Sequence, residues 1–291
     1  MAFLLAAGCS PRAYVTRQVA DAIGSGGGTF GSDDDPQLVR EATPFALKLS
    51  ESLLASAPHD TGLLLSLARG FTQYAVVFVW QDAVESADPG VREAGKARAV
   101  GLYLRAREYG LRGLEERHPG FRGLVVVNPA GAAREAGPED VPLLYWAGAA
   151  WSLAVAASPG DPGLIADLPR CEALLRRALE LQEDYDAGAI HEYFVAFEGS
   201  RPAAMGGSVE RARRHFMRAM ELAAGRKISP LVTLAESVSI GEQDRAEFLT
   251  LLDKALAFDA RGLAPENRQA NLAAQRRAAW LKGRVDALFL E

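Results

Sequence analysis

The chain has 291 residues, a net charge of −5 and a pI of about 5.6. Hydrophobic residues make up 49% and charged residues 24%, which is usual for a folded globular protein and excludes disorder as the default. A chain this acidic has no general attraction for phosphate backbones, so nucleic acid is not an expected partner. No uninterrupted apolar run reaches the length of a transmembrane helix, which predicts that nothing spans a membrane.

Residues 1–9 have the features of a truncated bacterial lipoprotein signal. A short apolar run ends in small residues and Cys9, as in a lipobox, whose cysteine is lipidated and becomes the new N-terminus. The positive residues and longer apolar core of a complete signal peptide are missing before Cys9. The sequence therefore predicts a lipid-anchored, periplasmic protein, and the alternative is an N-terminal segment with an incidental cysteine.

Residues 10–36 differ in composition from the rest and are predicted to form an N-terminal tether with a Gly-rich loop that Pro36 ends. From residue 37 to 291 apolar residues recur at helical spacing between proline and glycine breaks, which predicts one helical domain. The one exception is the run Val125, Val126 and Val127, which is expected to be a buried piece of a long loop. Cys171 lies in the helical pattern and is expected to be a small buried thiol.

A spaced triplet of side chains recurs in the helical region. In the second helix of a tetratricopeptide (TPR) unit, a small residue lets two helices approach and a large one fills the groove between them. Such triplets are 99/103/106, 171/175/178 and 212/216/219, with a looser copy at 248/252/255. The last three start 41 and 36 residues apart, near the TPR period of about 34. The expected fold is all-α, with TPR-like antiparallel helix pairs stacked into a superhelical or bundled domain; an irregular helical bundle is the alternative.

Residues with catalytic chemistry are scarce in this sequence. His191-Glu192 is the natural suspect for a zinc protease, but the second histidine that a helical zinc motif needs is replaced by Val195. No nucleophile elbow, phosphate-binding loop or Cys-x-x-Cys pair is present. The prediction is a protein that is not an enzyme and needs no cofactor or metal. His215 lies among arginines and is expected on a solvated helix face.

Seven short motifs in a fixed order resemble the T component of TPR-associated TRAP transporters, the TatT family, across nearly the whole chain. They are DDDP at 33–36, PFALK at 44–48, FTQY at 71–74, LYW at 144–146, GAIHE at 188–192, GG at 206–207 and ANLAAQRR at 270–277. The resemblance implies a periplasmic, lipid-anchored accessory component that forms a homotrimer. It also implies docking of the transporter's periplasmic substrate-binding protein and passage of a small organic, possibly hydrophobic, ligand through a helical pore or cleft.

Aromatic and polar side chains on the predicted helices are candidates for the lining of such a pore. The aromatic candidates are Tyr74, Trp146, Trp151 and Tyr193. The polar candidates are His191, Glu192, Asn271 and Gln275. Each set has a plainer interpretation, because aromatics at helical spacing commonly form the core and buried polar groups commonly pair with each other. Two other functions stay open: a generic TPR scaffold for envelope assembly without a small ligand, and an enzyme in which a second carboxylate or a metal ligand meets His191 and Glu192.

Overall fold

The computed structural model describes residues 28–290, and within that range the chain is helical and contains no strand. The all-α prediction is therefore confirmed. The predicted lipidation site Cys9, the signal at 1–9 and residues 10–27 of the predicted tether lie outside the described residues.

The fold is a succession of α-helices joined by short turns. The first eight are α1 (Thr29–Ser32), α2 (Pro36–Ser56), α3 (Thr61–Tyr74), α4 (Gln81–Glu85), α5 (Pro89–Arg117), α6 (Phe121–Val127), α7 (Pro129–Glu135) and α8 (Val141–Ala157). The others are α9 (Pro162–Ile165), α10 (Leu168–Leu181), α11 (Ala189–Gly199), α12 (Val209–Ala223), α13 (Ser229–Leu234), α14 (Arg245–Leu256), α15 (Arg268–Lys282) and α16 (Val285–Leu288). Wider π-helical turns, Ala75–Trp80 and Ala235–Ser239, follow α3 and α13.

Several helices begin at a capping side chain that the sequence places just before them. The Asp35 carboxylate accepts hydrogen bonds from the backbone N–H groups of residues 37 and 38, and Pro36 occupies the first turn, where its missing N–H costs nothing. Asp88 caps α5 in the same way ahead of Pro89. These local signals place the helix starts, while burial of the apolar faces holds the helices together.

The residues of the predicted repeat triplets lie in the core. Those at 99/103/106, 171/175/178 and 248/252/255 are all buried, and in the fourth triplet only Phe216 is half-buried. α8 packs against both α5 and α10, and a Cβ added at Gly148 would lie 2.7 Å from Leu175 Cγ, so the helices approach as the small-residue pattern requires. Cys171 is a buried free thiol, as expected, and burial raises its pKa to about 12. The TPR-like superhelical arrangement stays a prediction.

The valine run is helical, so the expectation of a buried loop was wrong. Residues 121–127 form α6, in which Val125 is buried while Val126 and Val127 are 52% and 79% exposed. Successive side chains of a helix point in different directions, and α6 packs on its neighbours through Phe121 and Val125, so Val126 and Val127 face outward. β-branched residues lower helix propensity only slightly, so tertiary packing decides the conformation here.

The continuous helical stretch Thr61–Glu85 is long and apolar enough by length and composition to cross a membrane. More than half of its most apolar window is buried inside the protein, as in the core helix of a globular domain. Leu63, Leu64 and Leu67 on this stretch are fully buried, which accounts for its apolar composition.

The N-terminal segment of the described chain contacts the start of α15. Arg268 donates to the Ser32 carbonyl at 2.6 Å, and Gln269 donates to the Asp33 carbonyl at 2.8 Å. The Arg276 guanidinium binds Asp82 at 2.8 Å and Glu85 at 2.6 Å, so α15 is also tied to α4. These contacts bring the N-terminal helices and the start of α15 together beside a cavity.

Candidate functional site

A cavity of about 680 Å³ lies between the N-terminal helices, α8, the start of α11 and the segment that leads into α15. This volume is in the range of pockets that bind small organic molecules. Much of its wall is apolar, from Phe30, Val39, Ala46, Leu47, Val77 and Phe78. The polar part is contributed by Arg69, Gln73, Asp186, Glu192, Lys227 and Ser229, among others.

The π-helical turn after α3 helps to shape one wall. Residues 75–80 form this turn, and Tyr74, Val77 and Phe78 at and within it all line the cavity. A π turn inserts one residue into the helical register and changes which side chains face inward, and such turns are often found at functional sites. The Tyr74 ring also packs against Phe78, with centroids 5.8 Å apart.

Glu192 places a carboxylate on the cavity wall. Ser229 Oγ donates to it at 2.8 Å and Thr233 Oγ1 at 3.1 Å, so α11 is bonded to α13 through this side chain. Burial raises the pKa of Glu192 above its ordinary value, although both hydroxyls and the charge of Lys227 act in the opposite direction. Glu192 is therefore an acid that holds its proton more tightly than a solvated glutamate.

A strained turn forms the next part of the wall. Asp186 and Ala187 have φ angles of 45° and 52°, followed by Gly188 at 90°, so three successive residues are left-handed. Non-glycine residues adopt this conformation at a cost, and it persists where surrounding contacts hold it. Lys227 supplies such a contact, because its Nζ donates to the Asp186 carbonyl at 2.5 Å and lies 2.8 Å from Asp186 Oδ1.

A cluster of aromatic rings forms another part of the cavity lining. The Tyr145 ring contacts Trp146 edge-on at 5.0 Å and Tyr185 at 5.2 Å between centroids. The Arg69 guanidinium lies 5.5 Å from the centroid of the Trp146 ring, in the geometry of a cation–π contact. All four residues line the cavity, and the mutual packing of the rings fixes where their polar atoms lie.

The side chain of His191 makes different contacts from that of its neighbour Glu192. It is buried, it is not among the cavity-lining residues, and its Nδ1 lies 2.8 Å from Nδ1 of His215 while its Nε2 lies 3.1 Å from Glu183. A carboxylate only accepts, so His191 Nε2 carries the proton and His215 donates from Nδ1. His215 is thus half-buried in a side-chain pair and does not lie on the solvated face that the sequence suggested.

Three of the sequence candidates line the cavity together: Tyr74, Trp146 and Glu192. Trp151 and Tyr193 are packed elsewhere, where the Trp151 indole donates to Asp167 at 2.9 Å and the Tyr193 hydroxyl lies 3.0 Å from Ser152 Oγ.

The two polar candidates on α15 bind backbone groups. Asn271 is fully buried and bonds the Ile228 amide and the Arg226 carbonyl. Gln275 donates to the carbonyls that end α14, including that of Phe258 at 2.7 Å. Both side chains therefore join α15 to its neighbours, and neither is among the lining residues.

Several cavity residues were not anticipated from the sequence, notably Arg69, Tyr185 and Lys227. Arg69 lies on an otherwise apolar helix, where a lone charged residue was the available signal. Tyr185 and Lys227 belong to turns whose path no helical periodicity predicts. Within residues 28–290, no three His, Cys, Asp or Glu side chains converge as a metal site would require.

Comparison with known proteins agrees with the motifs. The family model described as "TRAP transporter T-component" matches residues 32–289. An uncharacterized protein of Treponema pallidum (strain Nichols) is 31% identical over 268 residues, which cover 90% of this chain and 83% of the relative. The family is one of transporter components and not of enzymes. The chain therefore belongs to the TRAP transporter T-component family.

Proposed function

We propose that this protein is a periplasmic accessory component of a TRAP-type transporter, anchored by a lipid on Cys9. It binds the transporter's substrate-binding protein and passes a small organic ligand through the cavity between its N-terminal helices and the start of α15. The observation that carries the proposal is a cavity of about 680 Å³ with apolar walls and a few convergent polar groups, in a chain of this family.

Elements from distant parts of the chain form the cavity wall, and the groups along this wall support ligand passage. α1 and α2 meet the segment before α15 there, and Gln73, Glu192 and Lys227 offer polar contacts along the way. A scaffold that binds no ligand makes no use of such a space. The scaffold for envelope assembly is therefore the second candidate.

The direct test of partner binding is size-exclusion chromatography with light scattering, using protein that starts at Ser10. The protein is run alone and with the TRAP substrate-binding protein encoded nearby. A mass that increases by the partner's mass supports the transporter role. A protein that ignores this partner moves the scaffold to first place.

The same experiment tests the proposed homotrimer. An exposed apolar face on α2 supports a subunit contact, because Leu38, Phe45 and Leu49 are 55%, 74% and 38% exposed and recur at helical spacing. If copies of the chain pack through this face, Phe45→Ser lowers the measured mass to that of a monomer. Val127→Ser is the matched control, since Val127 is equally exposed but lies on α6. A trimer that survives Phe45→Ser contradicts this choice of surface.

A further inference from the structure

A short segment at the start of the described chain borders an opening of the cavity. This strap consists of α1 and the extended residues 33–35 that join α1 to α2. Phe30 and Gly31 of the strap line the cavity, and so do Glu266 and Ala270, just before and within the start of α15. Glu266 and Ala270 are also exposed to solvent, so the cavity reaches the surface beside the strap.

The cavity reaches the surface at other elements as well. Gln182 and Asp186, which precede α11, line the cavity and are exposed. The strap instead packs against α15 and the 3₁₀ turn Pro265–Asn267 before it. The opening at the strap and the opening before α11 are therefore formed by different parts of the chain, and the strap can close the first without closing the second.

Three side chains hold the strap, and all three bind its backbone. Arg268 donates to the Ser32 carbonyl at 2.6 Å, Gln269 to the Asp33 carbonyl at 2.8 Å and Arg261 to the Asp34 carbonyl at 3.0 Å. The three donors lie between residues 261 and 269. One set of contacts with one wall of the cavity therefore keeps the strap in place.

Little apolar burial supports these hydrogen bonds. None of residues 28 and 30–35 is buried, and Phe30, the one large apolar side chain of the strap, is half-buried. A segment with few buried apolar contacts opens at a lower free energy than the core does. The start of α2 does not depend on the strap, because the Asp35 carboxylate caps it through the N–H groups of residues 37 and 38. Residues 33–35 can therefore act as a hinge between a loosely held segment and a firmly capped helix.

We propose that the strap is a movable lid, which closes one opening of the cavity with Phe30 and swings away about residues 33–35 to let a molecule pass. This inference rests on the proposed function, in which a ligand passes through the cavity, and adds the element that controls one of its openings. The three donors at residues 261–269 set how often the lid is open, because each opening breaks their hydrogen bonds.

The test is labelling of a thiol inside the cavity under native conditions, in the protein that starts at Ser10. Val39→Cys places this thiol at a cavity-lining residue that is 8% exposed, at the start of α2 next to the strap. N-ethylmaleimide is expected to react slowly with it, because the strap must open first. The double substitution Arg268→Met and Gln269→Met removes two of the three donors and is expected to raise the labelling rate at least about tenfold. Peptide mass spectrometry gives the rate of each thiol separately.

A second variant removes the plug and keeps the hydrogen bonds. Phe30→Ala leaves the backbone acceptors of the strap unchanged and is expected to raise the labelling rate of Val39→Cys about fivefold, through the lost apolar contact. Lys282→Met is the matched control on α15, since it removes an exposed ion pair with Asp253 that does not involve the strap. It is expected to leave the rate unchanged.

The native Cys171 reports opening of the whole fold. It is fully buried on α10 and does not line the cavity, so its labelling rate is expected to stay the same in every variant. A labelling rate of Val39→Cys that neither the double substitution nor Phe30→Ala changes overturns the lid. Equal acceleration at Cys171 overturns it too, because the strap then stabilises the entire fold.

This measurement needs neither a ligand nor a partner, so the lid and the proposed function fail separately. A protein that gains mass with the substrate-binding protein but shows no change in labelling keeps its transporter role and loses the lid. A protein whose labelling follows the strap contacts but that ignores the partner keeps the lid and loses the proposed docking.

Discussion

At the scale of single residues, the carboxyl group of Glu192 makes the stability of the fold depend on pH. Its pKa is raised in the folded protein, mainly by burial, so the unfolded chain ionises first as the pH rises. The stability that the protonated group provides is complete below its ordinary value of 4.5 and is lost as the pH rises through the folded pKa. Above the folded pKa the buried charge therefore opposes folding.

Glu192→Gln is expected to raise the melting temperature at neutral pH and to have little effect below about pH 4. The amide oxygen can still accept from Ser229 or Thr233, so one of the two bonds survives. Thermal unfolding across this pH range measures the difference. Glu266→Gln, at an exposed glutamate of the same cavity, is the control and should leave the melting temperature unchanged. A Glu192→Gln protein whose gain in melting temperature over the unaltered protein is smaller at neutral than at acidic pH contradicts the sign.

The His191–His215 pair gives the opposite pH dependence. Burial, followed by the proximity of His191, lowers the pKa of His215 to about 4. The unfolded chain then binds more protons than the folded one between the ordinary value of 6.5 and about 4, so stability falls as the pH drops through this window. The lowered pKa of His191 acts in the same direction.

His215→Phe keeps the ring that stacks on Phe194 and removes its titration. The variant is expected to be less stable at neutral pH, because His191 loses its donor, but to lose less stability between pH 6.5 and 4 than the unaltered protein. Urea unfolding at several pH values measures the slope. His59→Phe, which replaces a histidine whose side chain is 78% exposed, is the control for the substitution itself. If the free energy of unfolding of His215→Phe varies with pH in parallel with that of the unaltered protein, His215 does not cause the loss of stability in acid.

Site residues were predictable from the sequence only where the helical pattern carried the information. Trp146 and Glu192 lie on regular helices within motifs and reach the cavity. His191 is adjacent to Glu192, yet one residue along a helix turns the side chain by about 100°, toward α12 and away from the cavity. Tyr185 and Lys227 lie in turns whose left-handed conformation depends on tertiary contacts, and no local pattern could place them.

At the scale of helices, α5 has one glycine packed tightly against a neighbouring helix and another in open space. A Cβ added at Gly110 would lie 2.7 Å from Ala147 Cβ and 2.9 Å from Ala147 Cα on α8. Nothing lies within 4 Å of a Cβ added at Gly101 on the same helix. The small residue at Gly110 therefore allows α5 and α8 to approach, whereas Gly101 is only a weak helix former on the surface.

Gly110→Ala is expected to destabilise the protein by about 1–3 kcal/mol, because the backbone of α8 must move to admit the methyl group. Gly101→Ala is the matched control on α5 and is expected to stabilise it by about 0.5–1 kcal/mol through helix propensity. Chemical unfolding of both variants gives the two free energies of unfolding. If both substitutions stabilise the protein, the contact between α5 and α8 does not require a residue without a side chain at Gly110.

The helices themselves were largely predictable, because their starts depend on local capping residues and their buried faces on spacing. The triplets at 99/103/106 and 171/175/178 are buried as the small-large-small pattern predicted. The valines of α6 were assigned to a loop because three residues are too few to show a helical periodicity. Contacts between distant elements, such as Arg268 with Ser32, have no signal in a single sequence.

At the scale of the whole molecule, the described N-terminal segment completes the cavity wall. Phe30 and Gly31 line the cavity, and the carbonyls of residues 32–34 accept hydrogen bonds from Arg268, Gln269 and Arg261. The wall thus depends on contacts between residues more than 220 positions apart in sequence. α15 keeps its other contacts to α14 through Gln275 and to α4 through Arg276, so it can stay folded when the N-terminal segment is absent.

A chain that starts at Pro36 is therefore expected to remain folded but to lose order at the start of α15. Amide hydrogen exchange should accelerate around residues 265–270, where the side chains lose their backbone acceptors, while α8 stays as protected as before. A chain that starts at Gly28 keeps the segment and serves as the control. Unchanged exchange at residues 265–270 in the shorter chain would show that the last helices hold that wall alone; accelerated exchange throughout would show that the segment stabilises the entire fold and not one wall.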